Sequence, residues 1–153
     1  MKNYQTKNAT ESKSHKLKTV PCSKYMTKDL ITFTPETPIS DVIESLLVNR
    51  ISGAPVLDSD GMICGVIDDK DCLNTLIDSA YYNQPISKDK VGQYMTNVYK
   101  RINVNSDIVD VANLFIRSNF KRLLVVDDDG RLKGSISRRD VLRAIRDMES
   151  TAW

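Results

Sequence analysis

Ser137 and Asp140 stand three residues apart, behind Lys121 and Arg122, in the stretch K-R-L-L-V-V-D-D-D-G-R-L-K-G-S-I-S-R-R-D. A carboxylate accepts charge-assisted hydrogen bonds, and free N–H groups at a helix start attract an anion. A hydroxyl, a carboxylate and free N–H groups are thus brought together at one helix start.

These groups need elements to bring them together. Residues 123–126 are apolar, an acid-rich turn ends in Gly130, and residues 132–136 form a second run. That pattern predicts strand, tight turn, strand. Ser137-x-x-Asp140 then opens a helix. The same order occurs earlier. Shifted by 69 residues, Pro55 to Asp71 lies on Leu124 to Asp140 without a gap, and Tyr25-Met26-Thr27 lies on Tyr94-Met95-Thr96. Between Tyr25 and Leu73 the shifted pairs hold fourteen identities, against about three expected at ordinary composition. Two copies of one unit are present, and such units commonly need each other to bury their apolar faces.

Each half resembles a CBS domain, and the two together resemble a CBS pair, or Bateman module. The first copy carries this in Tyr25-Met26-Thr27, Thr34-Pro35, Arg50-Ile51-Ser52-Gly53-Ala54-Pro55-Val56, Gly65-Val66-Ile67 and Asp71. The second has Tyr94-Met95-Thr96, Lys121-Arg122-Leu123-Leu124-Val125-Val126-Asp127 and Gly134-Ser135-Ile136-Ser137-Arg138-Arg139-Asp140. The resemblance implies an α/β fold of the α+β type. In it two β-α-β-β-α units pack their three-stranded sheets about a pseudo-twofold axis, and two modules form a disc-like homodimer.

Taken in order, the chain predicts a flexible basic tail over 1–21, a first unit over 22–80, a linker over 81–91, a second unit over 92–148 and a C-terminal end over 149–153. A strand is expected at 30–34. A helix after Pro38 carries Ile39, Val42, Ile43, Leu46 and Leu47 inward. Strands follow at 56–57 and 62–67, and a helix at 69–80 faces Leu73, Leu76 and Ile77 inward. The second unit repeats this with a strand at 99–104, a helix at 108–118 with Ile108, Val111, Ala112, Phe115 and Ile116 inward, the hairpin, and a helix from 138 to about 148.

With 22 basic and 20 acidic residues the net charge is +2, which calls for no nucleic-acid partner. Cys22, Cys64 and Cys72 have no CxxC spacing and predict a reducing compartment, read as cytoplasmic. No apolar run approaches membrane-spanning length. Catalysis is not expected: no phosphate-cradling glycine loop is present, and the single histidine, His15, falls in the tail. Cys64 and Cys72 read as structural thiols. Trp153 suits either a docking residue or a frayed end. The acidic turns at Asp58 and Asp127 begin like calcium loops but lack the later ligands, so hairpin turns are expected and no metal site.

The resemblance also implies two adenosyl-binding clefts between the units. In the first, Ser137 and Asp140 would meet phosphate and ribose, Lys121 and Arg122 phosphate, and Thr34, Ile39, Ile51 and Ser52 of the other unit the base and sugar. In the second, Asp71 remains for a ribose and Phe120 matches the mid-unit position, but Asp68 replaces the hydroxyl and Ser52-Gly53 the basic pair. Three neighbouring carboxylates, Asp68, Asp69 and Asp71, would repel phosphate. An empty cleft is expected there, ahead of a nucleoside portion or a divalent cation. Ser137 and Asp140 also form a good helix cap, and their conjunction with Lys121-Arg122 and Thr34-Pro35 favours the ligand reading. The expected function is a regulatory adenine-nucleotide sensor (AMP, ADP or ATP, with no obligatory cofactor) acting on a partner protein in trans. The alternatives are a ligand-free dimerisation or interaction module and a sensor of S-adenosylmethionine or a dinucleotide.

Overall fold

The computed structural model describes residues 19–152. Most of the expected tail, with His15, lies outside the described residues, as does Trp153. The first unit comprises α1 (Ile39–Asn49), β1 (Gly53–Leu57), β2 (Ile63–Asp68) and α2 (Asp69–Tyr82). The short α3 (Val91–Tyr94) then leads to β3 (Arg101–Asn103), α4 (Ile108–Arg117), β4 (Arg122–Val126), β5 (Leu132–Ser137) and α5 (Arg138–Ala152). β1 pairs antiparallel with β2, and β4 with β5, in the same register, which slips at the same place in each hairpin. Both acidic turns are backbone turns. Asp58 Oδ1 accepts the N–H groups of Asp60 and Met62, and Asp127 Oδ1 those of Asp129 and Arg131. Gly61 and Gly130 each take φ 81°, a conformation open to glycine at little steric cost.

The expected three-stranded sheets are realised unequally. β3 adds to β4 in parallel, making the order β3-β4-β5, whereas the sheet of the first unit has two strands. The strand expected at 30–34 shrinks to one parallel bridge, Phe33 to Val56. Proline explains the loss. In the second unit Leu124 N–H donates to the Lys100 carbonyl at 3.0 Å, and the first-unit counterpart of Leu124 is Pro55, which has no N–H to give.

Each unit has its own apolar core, but each core is completed from elsewhere in the chain. Cys22 is buried among second-unit residues such as Ile102, Val111 and Leu123. Val91 is buried among first-unit residues such as Ile39, Val56 and Ile67. The exchange includes main-chain pairing. Thr27 and Ser135 bond N–H to carbonyl in both directions (2.8 and 3.0 Å), and so do Thr96 and Val66 (2.9 and 2.8 Å). Tyr25 donates its hydroxyl to Asp147 at 2.7 Å, and Tyr94 to Asp78 at 2.8 Å. The repeat boundaries therefore divide the chain by sequence but not by packing. Much of the expected linker is itself built in: Ile39 N–H donates to the Asp89 carbonyl and Val91 N–H to that of Thr37.

Five residues expected to face inward do not. Leu47, Leu73, Leu76, Ile77 and Ile116 are 53–82% exposed. α2 instead packs through Cys72 and Thr75, and Thr75 lends its hydroxyl to the Cys72 carbonyl at 2.6 Å. These helices carry more apolar residues than one stripe can hold, and the spacing alone does not say which stripe turns in.

The exchanged segments approach closely because β2 and β5 carry glycine where they cross. A Cβ on Gly134 would stand 2.5 Å from the Thr27 carbonyl oxygen, and one on Gly65 2.9 Å from that of Thr96. Gly134→Ala is therefore expected to destabilise the fold by about 2 kcal/mol, read as a lowered urea midpoint. Gly65→Ala should cost less, and an unchanged midpoint for both would contradict the crossing.

Candidate nucleotide-binding cleft

At the end of β5 the chain enters α5 with no intervening loop, so Ser137 and Asp140 share the first turn. Asp140 Oδ2 accepts the Ser137 N–H (2.8 Å) and hydroxyl (3.1 Å), and the Asp140 N–H donates to Ser137 Oγ at 3.4 Å. The pair is a helix cap of the reciprocal kind. Asp140 is nearly buried, at 4% exposure. Its other oxygen, Oδ1, meets the Arg143 guanidinium at 2.8 Å. Sequence reading missed Arg143, although an acid and a base three apart on a helix are a recognised pair.

Arg122 is the direct cross-strand partner of Ser137. Opposite residues of an antiparallel pair project from the same face, and Arg122 lies along that face to bond Ser135 Oγ at 2.9 Å. The register thus sets Arg122 across from Ser137, which shares a helical turn with Asp140; Lys121, exposed, precedes Arg122 in the chain. Thr34, Ile51 and Ser52 belong to the first unit, and among the described residues no hydrogen bond joins them to this group. Thr34 is exposed and its hydroxyl meets that of Thr37 at 3.2 Å. Ser52 is exposed, and its carbonyl accepts the Asp69 N–H at 2.8 Å. Ile51 is half-buried against the first core. Ile39 departs from its expected role: it is fully buried in that core, so its side chain serves packing rather than a ligand surface.

The first unit repeats the backbone with different chemistry. Gly53 is the partner of Asp68, where the second unit pairs Arg122 with Ser137. Asp68 Oδ1 accepts the Asp71 N–H at 2.8 Å, and Asp71 Oδ2 accepts the Asp68 N–H at 3.0 Å. Burial, followed by the charges of Asp68 and Asp69, pushes the Asp71 carboxyl up to about 6. Phe120, the counterpart of Ile51, is half-buried against the second core. No three acid, His or Cys groups among the described residues are arranged to hold a metal ion. Burial likewise raises the Cys22 and Cys72 thiols, Cys72 to about 11. That is the condition of a packing residue rather than a nucleophile.

A hairpin-and-helix unit occurs twice, its copies interlocked by exchanged segments, with a Ser-x-x-Asp cap in the second copy and Asp-x-x-Asp in the first. The CBS domain pattern matches residues 22–78 and 91–147, and the chain belongs to the CBS domain family. It is 31% identical over 160 residues to the chloroplastic CBS domain-containing protein CBSX1 of Arabidopsis thaliana, covering 88% of this chain and 68% of that protein. It is 28% identical over 151 residues to protein MJ1426 of Methanocaldococcus jannaschii, covering 78% and 88%. Among solved structures, CBSX2 in complex with AMP superposes with a TM-score of 0.72 at 30% identity, over 84% of this chain and 98% of the other. CbpB in complex with c-di-AMP shares the fold, with a TM-score of 0.72 at 18% identity over 95% and 96%. No helix among the described residues is long and apolar enough to cross a membrane.

The raised Asp71 carboxyl has a consequence for stability. The folded chain holds this proton up to about pH 6, whereas the unfolded chain releases it near its ordinary value of about 3.9. The linked stability is complete below the lower value and is lost as pH rises through 6. Asp71→Asn keeps an acceptor for the Asp68 N–H. It is expected to raise Tm by a few degrees at pH 7.5 and leave it unchanged at pH 3.5. An equal shift at both pH values would refute the assignment.

Proposed function

We propose that this chain is a regulatory adenine-nucleotide sensor without catalysis of its own, binding one AMP, ADP or ATP per chain in the Ser137–Asp140 cleft. The carrying observation is the register of β4 on β5, which sets Arg122 opposite Ser137 and one helical turn from Asp140. In this reading Asp140 accepts the ribose diol, the α5 N-terminus and Ser137 take a phosphate oxygen, and Lys121 and Arg122 neutralise its charge. Thr34, Ile51 and Ser52 supply the base side from the first unit. The relative CBSX2, solved with AMP, supports the ligand class. The other cleft stays empty of phosphate, because Gly53 and Asp68 replace the cation and the hydroxyl.

The bound ligand works through Arg143. A carboxylate has room for about four hydrogen bonds, and Asp140 already makes three, so a diol competes with the guanidinium at Oδ1. Arg143 lines a shallow depression on α5 with Arg139, Leu142 and Arg146, and its release changes the charge displayed there. The chain acts as a homodimer in a reducing, cytoplasm-like compartment. The altered α5 surface is what a regulated partner protein reads in trans. A ligand shifts such an equilibrium only by its differential affinity for the two states.

Isothermal titration with AMP, ADP, ATP and S-adenosylmethionine tests this, using protein shown by absorbance to carry no nucleotide. The expected result is about one adenine nucleotide per chain, lost in Asp140→Asn and kept in Asp71→Asn, with both variants melting cooperatively. Absence of heat for every ligand up to millimolar overturns the sensor and leaves the interaction module. Separately, Arg143→Met removes the competitor and is expected to tighten nucleotide binding about fivefold, the scale of a half-exposed ion pair. Weaker binding would show that Arg143 holds the ligand instead.

A further inference from the structure

The two hairpin turns touch. Arg131 Nη1 donates to the Asp60 carbonyl at 3.1 Å, and a Cβ on Gly130 would stand 3.3 Å from Met62 Cε. Beside this contact lies a cavity of about 270 Å³ that draws on both units. Leu57 of the first hairpin, Leu132 of the second and Leu30 of the crossing segment give it apolar walls, and Lys28, Arg131 and Lys133 give it three cations. None of the described residues that line it is acidic. Its lining shares no residue with the Ser137–Asp140 cleft, and Lys133 stands four residues along β5 from Ser137, about 13 Å in a strand. The Arg131 guanidinium is held in place, bonded to one turn and lying against Gly61, where a Cβ would stand 3.0 Å away. Lys133 meets Asp127 only at 3.7 Å, with its side chain half exposed.

The duplicated chain supplies its own control. At the offset of 69 the apolar walls keep their character, with Tyr99, Val126 and Ile63 in place of Leu30, Leu57 and Leu132. The cations do not. Asn97, Met62 and Cys64 stand in place of Lys28, Arg131 and Lys133, and the one cation gained is Arg101 in place of Thr32. The same backbone thus folds with neutral residues at all three positions, and folding does not account for the charges. A cavity lined by one sign of charge over apolar walls concentrates counter-ions. A guanidinium fork beside two ammonium groups matches a doubly charged phosphate better than a singly charged carboxylate. The volume is below that of pockets for drug-sized ligands, so the occupant is small. We propose that this turn cavity binds a small phosphate monoester, with its phosphate on Lys28, Arg131 and Lys133 and its carbon part against the three leucines. The site rests on neither the adenine nucleotide nor the Ser137–Asp140 cleft.

Calorimetric titration of the full chain with phenyl phosphate, benzoate and inorganic phosphate tests it. Phenyl phosphate is expected to bind at one per chain, and about tenfold more tightly than either of the others. Lys28→Asn with Arg131→Met, the residues that the other unit already carries, should weaken it about tenfold, and the exposed change Lys133→Gln about threefold. Arg122→Met should leave it unchanged. Loss in Arg122→Met, with the double variant unaffected, would put the phosphate at the Ser137 helix start and overturn the cavity. Benzoate binding as tightly as phenyl phosphate overturns the preference for phosphate, and inorganic phosphate binding as tightly overturns the ester. Absence of heat for phenyl phosphate up to millimolar overturns the site.

Discussion

The structure depends on a reciprocal crossing. Thr27 pairs with Ser135 and Thr96 with Val66, each segment opening one unit in sequence and completing the other in space. Main-chain pairing at that distance requires that nothing project from the strand being crossed, and Gly134 and Gly65 meet the requirement. Tyr25 and Tyr94 then fasten the crossing to the far helix of the unit they visit. Neither hairpin with its helices is complete without the loan. Each core includes a fully buried residue, Cys22 or Val91, that arrives with the borrowed segment. The two units are thereby held as one body.

On that symmetric frame the chain places unlike chemistry. Both units turn from strand to helix with a reciprocal cap, and both caps have an aspartate at the fourth position. In the second unit the cap is a hydroxyl facing an arginine. In the first it is a carboxylate facing a glycine. The backbone N–H groups are satisfied equally well by either, so folding does not discriminate between them. The two helix starts differ in charge: Arg138 and Arg139 open the second unit's helix, whereas Asp68, Asp69 and Asp71 gather at the first unit's. The raised Asp71 carboxyl records its burial first and the neighbouring charges of Asp68 and Asp69 second.

The helices show a second division of labour. Their buried stripes, exemplified by Val42, Leu46, Val111 and Phe115, close the two cores. Their outer stripes keep leucines and isoleucines exposed at matching positions in both units. Arg143 stands at the meeting of these features, bonded to the buried carboxylate of the helix cap and beside Leu142 on the surface of α5.

Sequence alone determined the duplication, the hairpins and the caps, because each rests on local rules: alternating apolar runs, glycine in a left-handed turn, and a short polar side chain at a helix start. It also determined that the two caps differ in residue type, since that follows from what stands at the offset of 69. Other features were decided only in three dimensions. The strand near Phe33 failed because Pro55, more than twenty residues away, is its partner and has no donor. Leu73, Leu76 and Ile77 stayed outside the core, because a helix with two apolar stripes takes its orientation from what it packs against. The engagement of Asp140 by Arg143 and the exchange of Tyr25 and Tyr94 between units are contacts between side chains whose neighbours the fold selects. Periodicity reports which residues share a face; only packing decides what that face meets.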